Sequence, residues 1–147
     1  MFSQTTDYAL RAVAHLAQCP DGVSTISAMA EAIQVNSPYL RKVVDKLREA
    51  GLVTSQRGKG GGITLAVEPH ALTMLDVANA VDPIQRIERC PIGRPDHLQL
   101  CPLHAELDAA LDLIEERLGC RTIGELLSTP QSATRCGFPK CEEPCPL

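Results

Sequence analysis

Between Ser37 and Gly51 the apolar positions Leu40, Val43, Val44 and Leu47 recur at three- and four-residue steps, while Arg41, Lys42, Lys46 and Arg48 fall largely on the other side. That spacing predicts an amphipathic helix with a basic outer face. Ser37 and Pro38 read as its N-cap and first helical residue, because a proline there gives up an N–H that has no helical partner anyway. Gly51 reads as the C′ residue that stops it. Residues 7–18 and 25–33 carry similar patterns on either side of a turn at residues 19–22, and predict two further short helices. Downstream, residues 52–56 and 63–67 are short apolar and β-branched runs around Gly58, Gly60, Gly61 and Gly62, which predict a hairpin with a glycine-rich tip.

Helix, short connection at residues 34–36, basic helix, strand and glycine-rich turn follow one another in the order of a helix-turn-helix with a wing. The expected fold is mainly α with a small β-wing. Such a joint sets the second helix into a major groove, with bases read near its N-terminal end. Ser37, Pro38, Tyr39, Arg41 and Lys42 lie there. Arg41 can pair bidentately with guanine, whereas Ser37 and Tyr39 suit phosphate; Tyr39 serves equally well as a half-buried packing residue. On the wing, Arg57 and Lys59 would hold the backbone or minor groove, and Gly60 and Gly61 allow close approach.

Charge alone would not select DNA as a partner, since the chain is acidic at net −4. Its distribution changes that picture. Residues 1–62 hold seven Lys/Arg against five Asp/Glu, whereas residues 63–147 hold seven against thirteen. Residues 41–59 alone carry six basic and two acidic groups, focused where they can displace phosphate counterions. A solvated helix face would account for the charge but not for the order of elements.

A second amphipathic stripe lies further on, where Leu103, Leu107, Leu111, Ile114 and Leu118 advance in steps of four, four, three and four. Asp108, Asp112, Glu115, Glu116 and Arg117 occupy the other side. A lone helix cannot bury such a stripe, which fits a partner helix as well as its own domain. A homodimer would present two recognition helices about one DNA turn apart, or a multiple of it, and would read a pseudo-palindromic operator on double-stranded DNA.

Seven cysteines accompany no signal peptide and no run of about eighteen apolar residues. The reading is cytoplasmic, with no membrane partner, and metal or redox chemistry in preference to a disulfide framework. Cys90, Cys101 and His104 form C-x10-C-x2-H, with Asp96 and His97 between the cysteines. Thiolate plus imidazole suits an iron–sulfur cluster or zinc. Cys136, Cys141 and Cys145 form a second group among Pro and Gly. That tail could supply ligands, bind its own metal, form a regulatory disulfide, or remain a disordered reducing segment. Cys19, Cys120, His15 and His70 show no ligand spacing. Catalysis finds no support, because there is no Ser/His/Asp order and no paired catalytic carboxylates, and GKGGG lacks the G-K-[ST] and following helix of a phosphate loop.

Through DYALR at 7–11, SPYLRKVVDKLREAGLV at 37–53 and RGKGGGITL at 57–65, the chain resembles the Rrf family of winged-helix transcription regulators (IscR/NsrR-like). The resemblance extends over about residues 1–128, through TMLDVANAVD at 73–82, matching the family's next helix, and CPLHAELDAALDLIEERL at 101–118, matching its dimerisation helix. It implies a two-iron or four-iron cluster at the Cys90 loop, zinc or no cofactor being the alternatives. Position 96 is aspartate where resembling members have a middle cysteine. Asp7 matches a carboxylate that some members donate from the partner subunit, and Arg41 stands where some members carry an acid. The expected division is a DNA-binding domain at residues 1–82, a sensor loop and dimerisation helix at 83–128, and a Cys-rich tail at 129–147. The expected function is a dimeric, sequence-specific repressor responding to a redox, nitric oxide or iron–sulfur signal. A metal-binding or electron-carrier protein and a thiol-switch regulator without a cluster are the rival readings.

Overall fold

The computed structural model describes residues 2–56, 58, 60–90 and 99–128. Its elements run α1 (Gln4–Gln18), β1 (Val23–Ser24), α2 (Ile26–Ala32), α3 (Ser37–Glu49), β2 (Val53–Ser55), β3 (Ile63–Leu65), α4 (Met74–Val81), α5 (Pro102–Gly119) and α6 (Ile123–Leu127). The mainly helical fold with a small antiparallel sheet is as the pattern predicts. Two elements are additional: β1 and α6 are too short to leave a period in the sequence.

Side-chain caps start α1, α2, α4 and α6. Ser3 accepts from the Thr6 N–H and starts α1 three residues before Asp7, and Thr25 does the same for α2 through Ala28. Thr73 and Thr122 each form a capping box, with Asp76 and Glu125 respectively. The basic helix differs from expectation by one residue. Its N-cap is Asn36, whose carbonyl accepts from Leu40 N–H at 2.9 Å, so Ser37 is already helical and Pro38 follows it.

The cause lies in how α2 ends. Val35 N–H bonds the Ala30 carbonyl at 2.9 Å and Gln34 N–H the Glu31 carbonyl at 3.2 Å, with Gln34 at φ 56. This is the paired-bond C-terminal motif that usually takes glycine at the left-handed position. It leaves only Val35 and Asn36 to lead into α3, which therefore begins early. The same motif ends α3 with its expected glycine: Gly51 stands at φ 75, and Leu52 N–H bonds the Leu47 carbonyl at 2.9 Å.

The sheet order is β1-β3-β2, antiparallel throughout, pairing Ser24 with Ile63 and Ser55 with Ile63 from either side. Gly62 lets β1 approach β3 closely, because a Cβ there would lie 2.7 Å from Val23 Cγ1. One apolar cluster joins Ala9, Val13 and Leu16 of α1 with Met29, Leu40, Val43, Leu47, Val53 and Ile63, then Leu72 and Val77, and finally Ile123 of α6. After α5 the chain thus returns to the first core, tied by Ile123 N–H to the Leu72 carbonyl at 2.8 Å and Gly124 N–H to the Pro69 carbonyl at 2.8 Å. Among the described residues no helix is long and apolar enough to cross a membrane.

Candidate functional site

Two surfaces collect the candidate residues: the outer side of α3 with the root of the β2–β3 hairpin, and the entry to α5. On α3, burial of Leu40, Val43, Val44 and Leu47 turns Pro38, Arg41 and Lys42 outward, all exposed, while Ser37 is half-buried. Tyr39 is 38% exposed but engaged. Its ring meets Tyr8 edge-on at 5.5 Å, and its hydroxyl lies 2.7 Å from Thr5 Oγ1. It thus packs α3 against α1, the second of the two roles open to it in the sequence.

An open hollow of about 520 Å³ separates α3 from the hairpin root, lined by Arg41, Asp45 and Arg48 on one side and by Ser55, Gln56 and the glycines Gly58, Gly61 and Gly62 on the other. Gly58 and Gly60 hold φ 110 and 82 at the hairpin tip. Arg57 and Lys59 lie outside the described residues. Lys46 is drawn away from this surface, since its Nζ donates to the Val81 carbonyl at the end of α4 at 2.6 Å. A lysine there satisfies a terminal helical carbonyl and the negative end of the helix. That long-range contact, 35 residues apart in sequence, ties the basic helix to the segment leading towards Cys90.

At the entry to α5, Cys101 is the N-cap, Pro102 the first helical residue, and His104 one turn in. The i, i+3 relation carries the His104 ring back over the cap. Cys101 Sγ stands 3.1 Å from His104 Nδ1, and Cys90 Sγ 3.7 Å from the same nitrogen. All three donor atoms fall within 4.8 Å of one another. Cys90 is 8% exposed, the other two half-buried. A tetrahedral ion with bonds of roughly 2.0–2.3 Å separates its ligands by about 3.5 Å, so the three donors fit corners of one metal coordination sphere. Two sulfurs and an imidazole match zinc and, equally, an iron of a cluster.

Asp7 lies elsewhere in the chain, its carboxylate 2.7 Å from Arg11 on the same helix. His97, Asp96, Cys136, Cys141 and Cys145 lie outside the described residues.

Cys90 reaches the group on a segment held by a residue that sequence reading passed over. Arg86 donates through Nε and Nη2 to the two oxygens of Asp108, both at 2.8 Å, and through Nη1 to Asp112 at 2.5 Å and Glu115 at 2.9 Å. Ile87 N–H adds a bond to Asp108 at 2.9 Å. The acidic side of α5 is therefore a clamp. The Arg86 hydrogen bond, helped by the Ile87 N–H, pulls the Asp108 pKa down to about 2, and the three carboxylates, Asp108 first, raise that of Arg86. The available signal was carboxylates at i, i+4 and i+7, which one guanidinium can bridge.

A third cluster was also unforeseen. His15 Nε2 lies 3.1 Å from Ser24 Oγ and 3.5 Å from Cys19 Sγ, all three buried where α1 meets β1. Burial lowers the His15 pKa, favouring the neutral ring.

Comparison with known proteins agrees with this architecture. The model of the Rrf2 family, described as iron-dependent transcriptional regulator, matches residues 2–129. IscR of T. potens is similar at 26% identity and a TM-score of 0.76, over 92% of this chain and 92% of its own. CymR, the global cysteine regulator of B. subtilis, is similar at 27% identity and a TM-score of 0.68, over 87% of this chain and 96% of its own. CymR of Staphylococcus aureus, at 23% identity and a TM-score of 0.66, shares the fold over 86% of this chain and 98% of its own.

Proposed function

Since the chain belongs to the Rrf2 family of DNA-binding transcription regulators, which are not enzymes, we propose that it is a cytoplasmic homodimeric repressor whose affinity for a pseudo-palindromic operator follows the state of a metal centre at Cys90, Cys101 and His104. Residues 1–82 form the output unit and residues 83–128 the sensing and dimerisation unit. Arg41 and Lys42 read bases, with Ser37 and Pro38 beside them, and the wing residues Arg57, Lys59, Gly60 and Gly61 lie along the backbone or minor groove. The observation that carries this reading is the convergence of Cys90 with Cys101 and His104 across a long connection, at the start of the helix that leaves Leu103, Leu107, Leu113 and Ile114 exposed.

An iron–sulfur cluster bound there would supply redox and nitric oxide sensitivity; zinc would supply a structural tie. Cys90 and His104 draw the linker onto α5, Arg86 fixes the linker a turn away, and Lys46 fixes its other end on α3. Releasing Cys90 loosens one end of this chain of contacts, so α5 can shift relative to α3. In a dimer joined through Leu103, Leu107 and Ile114, that shift changes the separation of the two recognition helices, which operator spacing fixes.

The visible absorption spectrum with iron, sulfide and zinc content of anaerobically purified protein tests the centre. Cys90→Ala and Cys101→Ala test its coupling to DNA. Unchanged operator affinity and an unchanged response to oxidant or nitric oxide in both variants would refute the sensing half. A thiol switch without metal has support in the same geometry, because the two sulfurs lie within 4.8 Å; a colourless, zinc-free protein whose operator binding still responds to oxidant would select it.

A further inference from the structure

The outward line of α3, opposite Leu40 and Leu47, runs through Pro38, Lys42, Asp45 and Glu49, at steps of four, three and four. Asp45 thus shares the line of Lys42 rather than that of the core, and its side chain is 42% exposed. It also lines the hollow facing the hairpin root, between Arg41 and Arg48. Arg48 Nη2 holds Asp45 Oδ1 at 2.8 Å, and Oδ2 has no partner among the described residues. The pair holds one carboxylate oxygen and leaves the other available as an acceptor.

A carboxylate carried into a major groove meets a repulsive phosphate field, and the acceptor edges of guanine and the thymine carbonyl repel it further. Exocyclic amines are the donors that welcome it, and the pairing seen for Asp and Glu is with cytosine N4. We propose that Asp45 is a specificity-determining residue, accepting a hydrogen bond from cytosine N4 through Oδ2 and excluding sequences that present acceptors there. This rests on the DNA-reading assignment of α3 above. Asp45 follows Arg41 by four residues, about 6 Å of helix rise, which is about two base-pair steps of 3.4 Å for a helix lying along the groove. The half-site therefore carries a cytosine about two pairs from the position that Arg41 reads. Attraction to the cytosine amine and repulsion by the acceptor edges of guanine and thymine act together, so the discrimination does not require a large gain in affinity.

The test is selection from a randomised duplex library with the full-length chain, Arg41→Ala, Asp45→Ala and Asp45→Asn, each checked by thermal melting. Asp45 is half-exposed and lies outside the core, so both of its variants retain the fold. The expected result is a cytosine preference that falls about tenfold in Asp45→Ala, about two pairs from the position relaxed by Arg41→Ala. Asp45→Asn should move that preference towards adenine, the base that Asn pairs with bidentately. A purely intrahelical role for the Asp45–Arg48 pair would change none of these base preferences. An Asp45→Ala protein that binds every duplex more tightly by one common factor, with its consensus intact, overturns the proposal alone. A parent chain that enriches no sequence overturns it together with the DNA-reading assignment.

Discussion

From α1 to α4 the large inward side chains are closed off from solvent, Leu16, Met29, Leu40 and Leu47 at 2% exposure or less, whereas α5 leaves Leu103 66% exposed, Leu107 49% and Ile114 38%. Both regions carry helical stripes in the sequence. The first is covered by its own chain. The second is divided: Leu118 turns inward and Leu111 is half-buried, while the rest of the stripe, together with Leu113, faces out. The polar side of α5, in turn, is occupied by Arg86. A core closed by its own chain, α6 included, thus adjoins a helix held by the Arg86 ion pairs and by Cys90 against His104, with much of its apolar stripe left exposed.

Leu40→Ala should have the largest effect, costing about 2–5 kcal/mol of stability by opening a cavity in the first core. Leu107→Ala should leave the unfolding free energy of the isolated chain within about 0.5 kcal/mol of the parent, as surface substitutions usually do, yet weaken self-association in sedimentation. Equal destabilisation by the two would erase the contrast between the regions. Gln34→Gly relieves a non-glycine residue at φ 56, and urea melting should show a gain of up to about 1 kcal/mol.

Acidification separates the regions further. His15 is kept neutral by burial, so its contribution is complete above its ordinary value of 6.5 and declines as pH falls from there through the lowered folded pKa. Unfolding midpoints between pH 7.5 and 5 should fall, and His15→Gln should flatten that slope. The α5 clamp responds only in stronger acid. Asp108 contributes fully above its ordinary 3.8, and the contribution is lost as pH falls through about 2. Arg86→Ala should raise the Asp108 titration, followed by NMR, towards its ordinary 3.8, with the Ile87 N–H still holding it below that value; an unmoved titration would mean that Arg86 does not hold it in solution.

The sequence by itself determined the local elements, because their causes are local. The buried period of α3, the stop at Gly51, the glycine hairpin and the adjacency of Cys101 and His104 each depend on residues a few positions apart. The one-residue error at the start of α3 has the same origin: a left-handed Gln34 closes α2 where a glycine would have announced the turn. Tertiary structure decided what depends on distant residues. It brought Cys90 to His104, Arg86 to Asp108, Lys46 to Val81 and α6 back to the first core, and it set which leucines of α5 face outward. Local periodicity fixes which side of a helix is apolar, but what covers that side is settled by the path of the chain between elements.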